Sequence, residues 1–258
     1  MGSRPAVLIT GGAKRIGAAM AHRFGEAGWH VVVHYGRSRA EAEALAAGLP
    51  SAEAVPCELE DTGAAEAMVD TLAARLHDWR VLINSASIFQ IDGVAHLDPV
   101  VHRAVMAINA RTPAALAQRF LAKARAVGGR RVIQVTDQKI ANPNPDFFSY
   151  TMSKHALAST IPMLSMARLD PRDRVYGLAP GAILPSHDQS EAEAEVSHRL
   201  NLLRRKTGPD EIAAAALFLA HGWLASGQTL FVDSGQHLLD QPRDVIYLER
   251  EGRGGSME

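Results

Sequence analysis

The sequence predicts a single α/β domain built on a doubly wound parallel sheet, and two observations lead to it. Short apolar runs alternate with longer, Ala-rich amphipathic segments along all 258 residues. Continuous apolar strands that alternate with helices are typical of a parallel sheet whose two faces are both covered. This length suits one large domain better than two, and right-handed crossovers make the doubly wound arrangement the natural topology.

The apolar runs and the helical segments can be placed in order. Seven strands are predicted, at 6–9, 31–34, 54–56, 81–84, 131–136, 175–179 and 229–232. Helices are predicted at 15–27, 39–47, 62–77, 99–109, 113–126, 149–167 and 210–220. We therefore expect a seven-stranded Rossmann domain over 1–245, a substrate lid at 183–208 and a C-terminal tail at 246–258 that is Gly-rich and loose from Arg250 onward.

Composition argues against several classes of partner. The formal net charge is −1 and the Lys and Arg residues are scattered, which argues against a nucleic-acid partner. Cys57 is the single cysteine and the eleven His residues lack the spacing of a zinc site, so no metal is predicted. Without an apolar stretch of about 18 residues or a signal-peptide pattern, the chain is expected to be cytoplasmic, with no membrane contact.

A glycine-rich turn, Thr10–Gly17, follows the first predicted strand and opens a helix. Glycines let the backbone turn tightly and approach a pyrophosphate, and the helix N-terminus presents N–H groups to it. The less favoured alternative is a bare strand-to-helix connection without a ligand. The cations Lys14 and Arg15 at its mouth could reach phosphate oxygens or an electron-rich substrate.

The end of the second strand indicates which dinucleotide is bound. An NAD site would place Asp or Glu here to bind the ribose 2′-hydroxyl, but no acidic residue occurs before Glu41. Arg37 and Ser38 instead offer a cation and a hydroxyl that suit a 2′-phosphate, which favours NADP. The alternative is a solvated loop arginine with Ser38 as a helix N-cap.

A YxxxK pair carries the predicted chemistry. Tyr150 and Lys154 stand at i and i+4, on one face of a predicted helix. The Lys154 cation is expected to lower the phenol pKa of Tyr150, which can then give a proton to an atom next to the one that receives hydride. YxxxK arises often by chance, and it gains weight here from following the glycine turn and Asn84–Ser87, a small-residue strand end.

Together these motifs resemble the short-chain dehydrogenase/reductase family from about residue 6 to 238. The resemblance includes the Pro180-Gly181 turn and the segment 227–235, where Ser234 departs from the usual VDGG. Arg15 stands where the middle glycine of the family's TGxxxGxG turn usually lies. Within the family, the chain looks most like pteridine reductases and bacterial dihydromonapterin or dihydrofolate reductases, because it has TGGAKRIG, HYGRS, an aromatic at Phe89 and Asp137 thirteen residues before Tyr150.

The resemblance implies a full set of site residues. Its catalytic set is Tyr150, Lys154, Asp137 and Asn109, where Asn109 would keep a water near the lysine or would simply bend or cap its helix. NADPH is the implied cofactor, contacted by Gly11, Lys14, Arg15, Ile16, Gly17, Tyr35, Arg37, Ser38, Glu58, Leu59, Asn84, Ser85, Ala86, Ser87, Tyr150, Lys154, Pro180, Gly181 and Ile183. A pterin or folate-like substrate would contact Arg15, Ser87, Phe89, Asp137 and Tyr150.

Asp137 bears on the substrate class, because most of the family has serine at this position. An ionised carboxylate only accepts hydrogen bonds, so a ketone would lose a polarising donor, whereas a pterin offers N–H groups and C=N bonds. Asp137 could also cap the following turn, and Phe89 could be a core residue rather than a stacking surface. We therefore expect hydride transfer from NADPH to a C=N bond of a pterin or dihydrofolate-type substrate.

Other functions and the assembly state stay open at this point. A generic carbonyl or 3-oxoacyl reductase of the same family is the nearest alternative, and a non-catalytic NADPH-binding sensor is a second one. Family members are commonly tetramers joined by helices like 99–126 and 149–167, so a homotetramer is expected.

Overall fold

All seven strands of the computed structural model run parallel in one sheet. The strands are β1 (Ala6–Thr10), β2 (His30–Tyr35), β3 (Ala52–Pro56), β4 (Trp79–Asn84), β5 (Arg131–Val135), β6 (Arg174–Pro180) and β7 (Thr229–Val232). Their order across the sheet is β3-β2-β1-β4-β5-β6-β7. The structure describes residues 4–167, 170–186 and 189–254. The prediction of a seven-stranded, doubly wound Rossmann sheet is confirmed.

The helices flank this sheet. They are α1 (Arg15–Glu26), α2 (Arg39–Gly48), α3 (Thr62–Arg75), α4 (Pro99–Met106), α5 (Thr112–Lys123), α6 (Phe148–Met166), α7 (Glu191–Ser197), α8 (Pro209–Ala220) and α9 (Val245–Gly254). Two 3₁₀ turns, Gln138–Ile140 and Gln236–Leu238, follow β5 and β7.

Alternating residues of each strand enter two separate cores. Val7 and Ile9 of β1 pack into the core that includes α1 and α8, whereas Leu8 packs into the core that includes α3, α5 and α6. All three side chains are fully buried. Because both faces of the strands are covered, the strands read as unbroken apolar runs rather than as alternating ones.

The sheet reverses its strand order between β1 and β4, and the carboxyl ends of the strands meet at one edge. In open α/β sheets, ligands bind outside this edge, at the point of reversal. The glycine-rich turn follows β1, the Asn84–Ser87 segment follows β4, and Asp137 follows β5. The fold therefore brings the predicted motifs to one edge.

Helices α4 and α5 are continuous through a π-helical segment, Ala107–Arg111, where we expected a break. Pro113 lacks a backbone N–H, so a regular α-helix would leave the carbonyl four residues earlier without its partner. A π-helical turn changes that register, and such turns are frequent at functional sites. The predicted site residue Asn109 lies in this segment.

Most of the predicted C-terminal tail is helical, including the first residues of the segment that was expected to be loose from Arg250. Residues Val245–Gly254 form helix α9, and the side chains of Val245 and Ile246 are buried. The apolar sequence Val245-Ile246-Tyr247-Leu248 gives this segment an apolar face that can be buried. The Gly-rich residues that follow it had favoured the prediction of a tail. The prediction of a loose chain is wrong for residues 250–254, and residues 255–258 lie outside the described residues.

No described helix is both long and apolar enough to cross a lipid bilayer. Within the same described residues, no group of three or more His, Cys, Asp and Glu side chains is arranged to hold a metal ion.

Candidate active site

The glycine-rich turn is shaped by close backbone contacts. Gly11 has a φ of 64°, and a Cβ at this position would stand 2.9 Å from Ala86 Cα. At Gly17 a Cβ would stand 2.1 Å from the Gly11 carbonyl oxygen. Side chains at these positions would therefore push the turn away from both Ala86 and the start of α1. The first turn of α1, Arg15–Ala18, has no acidic side chain, and its N-terminal end suits an anion.

His34 anchors this turn from inside β2. Its Nδ1 accepts a hydrogen bond from the Gly11 N–H at 3.1 Å, and its Nε2 lies 3.0 Å from the Cys57 carbonyl oxygen. The second contact requires a proton on Nε2, so the ring is neutral in this arrangement. Burial lowers the pKa of His34 to about 4. Sequence reasoning did not assign His34 a role, although a histidine inside the apolar strand HVVVHY is a usable signal.

Acid should destabilise the protein through His34. Its folded pKa of about 4 lies below the unfolded value of about 6.5, so its contribution to stability is complete above pH 6.5 and is lost as pH falls from 6.5 to 4. The loss amounts to about 3 kcal/mol. Urea unfolding at pH 7 and pH 4.5 measures it. His34→Gln should reduce this pH dependence, whereas His22→Gln at an exposed position of α1 should leave it unchanged. The same change in unfolding free energy between pH 7 and pH 4.5 in wild type and in both variants would refute the assignment.

The two cations of the turn are engaged elsewhere in the structure. Lys14 pairs with Glu41 of α2 at 2.6 Å, and both side chains are about half exposed. Arg15, with a φ of 54°, donates from Nη2 to the carbonyl oxygens of Leu184 and Pro185 at 3.3 and 2.9 Å. Arg15 therefore connects the glycine turn to the start of the predicted lid. Ile16, next in the chain, is partly buried against the α1 core.

The loop after β2 presents polar groups to solvent. Arg37 is exposed and makes no hydrogen bond or ion pair with another described residue, and Ser38 occupies the N-cap position of α2 without a capping side-chain bond to any described group. Tyr35 is buried at the end of β2. Both groups predicted to hold a 2′-phosphate are thus available. Of the predicted residues after β3, Glu58 is exposed and Leu59 is buried.

Asn84 and the three residues after it form a second close turn beside Gly11. The Asn84 amide donates to the Pro113 carbonyl and to Gln134 at 3.0 and 2.9 Å, which holds this strand end under α5. The N–H groups of Ser85 and Ala86 donate to Thr10 Oγ1 at 2.9 and 3.1 Å. Ser87 is exposed. This turn therefore forms the wall opposite the glycines.

Asp137 and Tyr150 meet directly at the end of β5. The Tyr150 hydroxyl donates to Asp137 Oδ2 at 2.7 Å, while Asp137 Oδ1 accepts the Lys139 N–H at 2.9 Å. One carboxylate oxygen therefore caps the 3₁₀ turn, as one interpretation of Asp137 predicts, and the other accepts the hydrogen bond of the phenol, while its role toward a substrate stays a prediction. Tyr150 is 8% exposed. Asp137 is partly buried, and its hydrogen bond with Tyr150 is already formed in this structure.

The pKa of Tyr150 moves in the direction opposite to our expectation. Burial, followed by the negative charge of Asp137, raises the pKa of the phenol well above its ordinary value. Burial also raises the pKa of the Asp137 carboxyl. The prediction that Lys154 lowers the phenol pKa is wrong for this state, because the nearer carboxylate favours the neutral phenol. Tyr150 therefore keeps its proton at neutral pH in this state.

Lys154 lies beneath the phenol ring. Its Nζ donates to the Val135 carbonyl at 2.9 Å and lies 5.4 Å from the centre of the Tyr150 ring. Burial lowers the pKa of Lys154 to about 8, against an opposing effect of Asp137. The i, i+4 spacing on α6 thus places both side chains at one site, as predicted.

Asn109 is fully occupied by protein groups. Its Oδ1 accepts the Ile88 N–H at 2.9 Å, and its Nδ2 donates to the Ile88 carbonyl and to Ser153 Oγ at 2.9 and 3.1 Å. Asn109 therefore joins the π-helical segment to the β4 turn and to α6. The predicted water-holding role stays a prediction.

Phe89 contacts Tyr150 from the side. Its ring lies edge-on to Tyr150 at 4.7 Å between centroids and is tilted against Phe147 at 4.0 Å. It belongs to a small apolar cluster with Val105 and Ile246, and it is partly buried there. Phe89 is at the site, and part of its ring is already covered by Phe147.

The turn after β6 completes the edge. Pro180 is buried, and at Gly181 a Cβ would stand 2.8 Å from Asp233 Cβ. Ile183 is buried in the α1 core. This turn can therefore contact a ligand through its backbone groups rather than through side chains.

Comparison with known proteins agrees with this geometry. Residues 11–237 match the family model described as enoyl-(acyl carrier protein) reductase. The chain belongs to the short-chain dehydrogenase/reductase family. The putative ketoacyl reductase 2 of the granaticin polyketide synthase from Streptomyces violaceoruber is 30% identical to this chain. The alignment covers 91% of this chain and 97% of that protein. Pteridine reductase 1 from Leishmania tarentolae is 26% identical over 91% of this chain and 96% of its own.

Among solved structures, a short-chain reductase described as FolM alternative dihydrofolate reductase 1 from Brucella canis, in complex with NADP, superposes with a TM-score of 0.85. It is 33% identical and covers 93% of this chain and 96% of its own. The predicted membership of this family is confirmed. The relatives include both ketone and pterin reductases, so the substrate must be argued from this chain's own site.

Proposed function

We propose that this short-chain reductase uses NADPH to reduce a C=N bond of a pterin or dihydrofolate-type substrate. The single observation that carries the proposal is the hydrogen bond from Tyr150 to the partly buried Asp137 carboxylate. A serine at position 137 would donate to a ketone oxygen, whereas a carboxylate can only accept. The site therefore suits a heterocycle rich in N–H donors.

The residues at the sheet edge fit NADPH. The cradle beside Gly11 and Gly17 would be filled by any Cβ, so backbone N–H groups can approach a pyrophosphate there. Arg37 and Ser38 supply a cation and a hydroxyl for a 2′-phosphate, and neither side chain is bonded to another residue that the structure describes. The cofactor-binding set named from the sequence stays our proposal, and the B. canis relative in complex with NADP supports it.

Each group of the catalytic set has a proposed task. NADPH, when bound, supplies the hydride. Tyr150 keeps its proton because burial and Asp137 raise its pKa, and it donates that proton to the nitrogen of the C=N bond. As its hydroxyl turns to the substrate, Asp137 Oδ2 becomes free to accept a pterin N–H, while Lys139 N–H still holds Oδ1. Lys154, anchored on Val135, then stands under the phenolate as it forms.

Arg37 should set the preference for NADPH. Arg37→Leu is expected to raise the Kd for NADPH about 10- to 100-fold, because a charge-assisted contact to the 2′-phosphate is lost. The Kd for NADH should change less than about twofold, since NADH has no such phosphate. Fluorescence titration of both cofactors measures this. The matched control is Arg39→Leu, which removes a neighbouring exposed cation paired with Glu43; an equal loss in both variants would argue against the assignment.

A ketone reductase is the competing function, and the granaticin relative at 30% identity favours it. NADPH oxidation, followed at 340 nm with a dihydropterin, dihydrofolate and a simple ketone, separates the two. We expect kcat/KM to be higher for a dihydropterin or dihydrofolate than for the ketone. A higher value for the ketone would reject the proposed substrate class. The homotetramer and the cytoplasmic location stay predictions.

A further inference from the structure

A buried ion pair lies next to the catalytic carboxylate, outside the catalytic set. Lys139 Nζ is 2.9 Å from Asp244 Oδ2, and their side chains are only 3% and 11% exposed. Lysine is rarely buried to this extent unless it is paired. A buried ion pair adds little net stability compared with apolar residues of similar volume, because both charges lose their hydration. Stability alone therefore explains this pair poorly.

Lys139 is connected to the catalytic carboxylate through its own backbone. Its N–H donates to Asp137 Oδ1, while its ammonium group donates to Asn144 Oδ1 at 2.6 Å and pairs with Asp244. The side chain of Lys139 is thus held from two directions. Fixing it also fixes the N–H that orients Asp137.

The same C-terminal segment supports the other half of the catalytic pair. The Asp146 carboxylate accepts hydrogen bonds from the Asp244 N–H at 2.8 Å and from Arg243 Nε at 2.9 Å. The next residue, Phe147, has a φ of 55°, a left-handed conformation that costs a bulky residue energy. Its ring stacks on Tyr247 with centroids 6.0 Å apart.

This packing continues to the phenol. Phe147 contacts Phe89, and Phe89 contacts the edge of Tyr150, while Ile246 joins the same cluster. We call residues 243–247 the C-terminal strap. The strap thus reaches Asp137 through Lys139 and reaches Tyr150 through Phe147.

We propose that Lys139 and Asp244 are positioning residues, and that the C-terminal strap sets the orientation of the Asp137–Tyr150 pair. The inference rests on the proposed function only in treating Asp137 and Tyr150 as the reacting pair. It assigns a catalytic consequence to a segment that contributes no residue to the predicted site.

The strap also sets the charges around the pair. The charged and titratable groups that act on Asp137 are Lys139 of its own turn and Tyr150 and Lys154 of α6. Asp244 of the strap acts on Tyr150, raising its pKa together with Asp137. Lys139 lowers the pKa of Asp137. Loss of Lys139 should therefore raise the pKa of Asp137 and move the acid limb of the pH–kcat profile to higher pH.

The test replaces both partners at once, Lys139→Met with Asp244→Leu, so that no unpaired charge is left buried. The cofactor-free melting temperature, the Kd for NADPH, and kcat and KM across pH are measured. We expect a folded protein with a Kd for NADPH within about twofold of wild type, because the strap lies away from the glycine turn. kcat should fall about 10- to 100-fold through misplacement of the pair, with the acid limb displaced upward.

A matched control removes a buried charge far from the site. Asp173 is fully buried and pairs with Arg130 at 2.6 Å, at the amino end of β6. Asp173→Asn should lower the melting temperature and leave the kcat of the folded protein and its pH profile as in wild type. A double variant that behaves like this control, with wild-type kcat and pH profile, would overturn the proposal.

Two further arms keep the result decisive. If the double variant does not fold, Lys139→Arg and Asp244→Glu, which keep each charge and change its reach, should lower kcat with an unchanged Kd for NADPH; wild-type kcat in both would overturn the proposal. If wild type turns over a ketone but no pterin, the proposed function fails, and the same variants are assayed with the ketone. A lower kcat for the ketone with a displaced acid limb would then support the positioning role, and wild-type kcat and pH profile would reject it.

Discussion

Tyr150→Phe should lower kcat for the preferred substrate about 10²- to 10⁴-fold, the range that a positioned general acid contributes. The variant removes the proton donor and leaves the ring, which packs against Phe89 and above Lys154. The Kd for NADPH should stay within about threefold of wild type, because the phosphate-binding elements are elsewhere. Stopped-flow hydride transfer and fluorescence titration measure the two quantities separately.

The matched control for this loss is Tyr176→Phe. Tyr176 is also buried, and its hydroxyl donates to the Leu224 carbonyl at 2.6 Å, in β6 and away from Asp137. That variant should lose stability and keep its kcat. If Tyr150→Phe retained more than about a tenth of wild-type kcat, another group would have to donate the proton.

Asp137→Ser should reverse the substrate preference. The serine hydroxyl can donate to a ketone oxygen, and it removes the carboxylate that accepts pterin N–H groups. We expect kcat/KM for the pterin to fall about 10²-fold or more, since a buried N–H of the substrate would be left without an acceptor. kcat/KM for a simple ketone should rise. Steady-state NADPH oxidation with both substrates measures the change, and a parallel fall for both would mean only that the site is damaged.

Asp137→Asn removes the charge of this side chain while keeping its shape, and it should also change how the stability of the protein depends on pH. The folded pKa of Asp137 is raised above its unfolded value, so the folded state binds the proton more tightly and stability falls as pH rises from the unfolded value of about 3.9 toward the folded one. Removing the charge should abolish that part of the pH dependence. Urea unfolding of the cofactor-free protein should therefore show Asp137→Asn at least as stable as wild type at pH 8, with pterin turnover strongly reduced. A less stable variant at pH 8 would show that the carboxylate is there for the fold.

Much of the architecture followed from local patterns. Apolar runs such as Val31–Val33 are buried on both sides of the sheet, so their sequence alone distinguishes a central parallel strand. The glycine turn, the i, i+4 pair Tyr150–Lys154 and the spacing of Asp137 from Tyr150 are also short-range signals. The fold needed only to bring the strand ends to one edge for these residues to meet.

What sequence reasoning missed depends on long-range contacts. Lys139 and Asp244 are 105 positions apart in the sequence. Charged residues are usually exposed, so the sequence does not indicate that these two are buried as an ion pair. The pKa of Tyr150 was misjudged for a related reason: spacing on a helix identifies Lys154 as a neighbour, but only the tertiary structure shows that the Asp137 carboxylate is the group that accepts the phenol's hydrogen bond. The π-helical segment at Asn109 has a local cause in Pro113, but the contacts of Asn109 with Ile88 and Ser153 join parts of the chain that are far apart in sequence.

The crystal structure of the protein with NADP and a dihydropterin tests the central claim most directly. The substrate assignment depends on the Asp137 carboxylate accepting hydrogen bonds from the N–H groups of a heterocycle. We predict a pterin ring or amino nitrogen within about 3.2 Å of Asp137 Oδ2, with the Tyr150 hydroxyl turned toward the reacting nitrogen. A pterin bound away from Asp137, with the Tyr150–Asp137 hydrogen bond intact beside the nicotinamide, would contradict it.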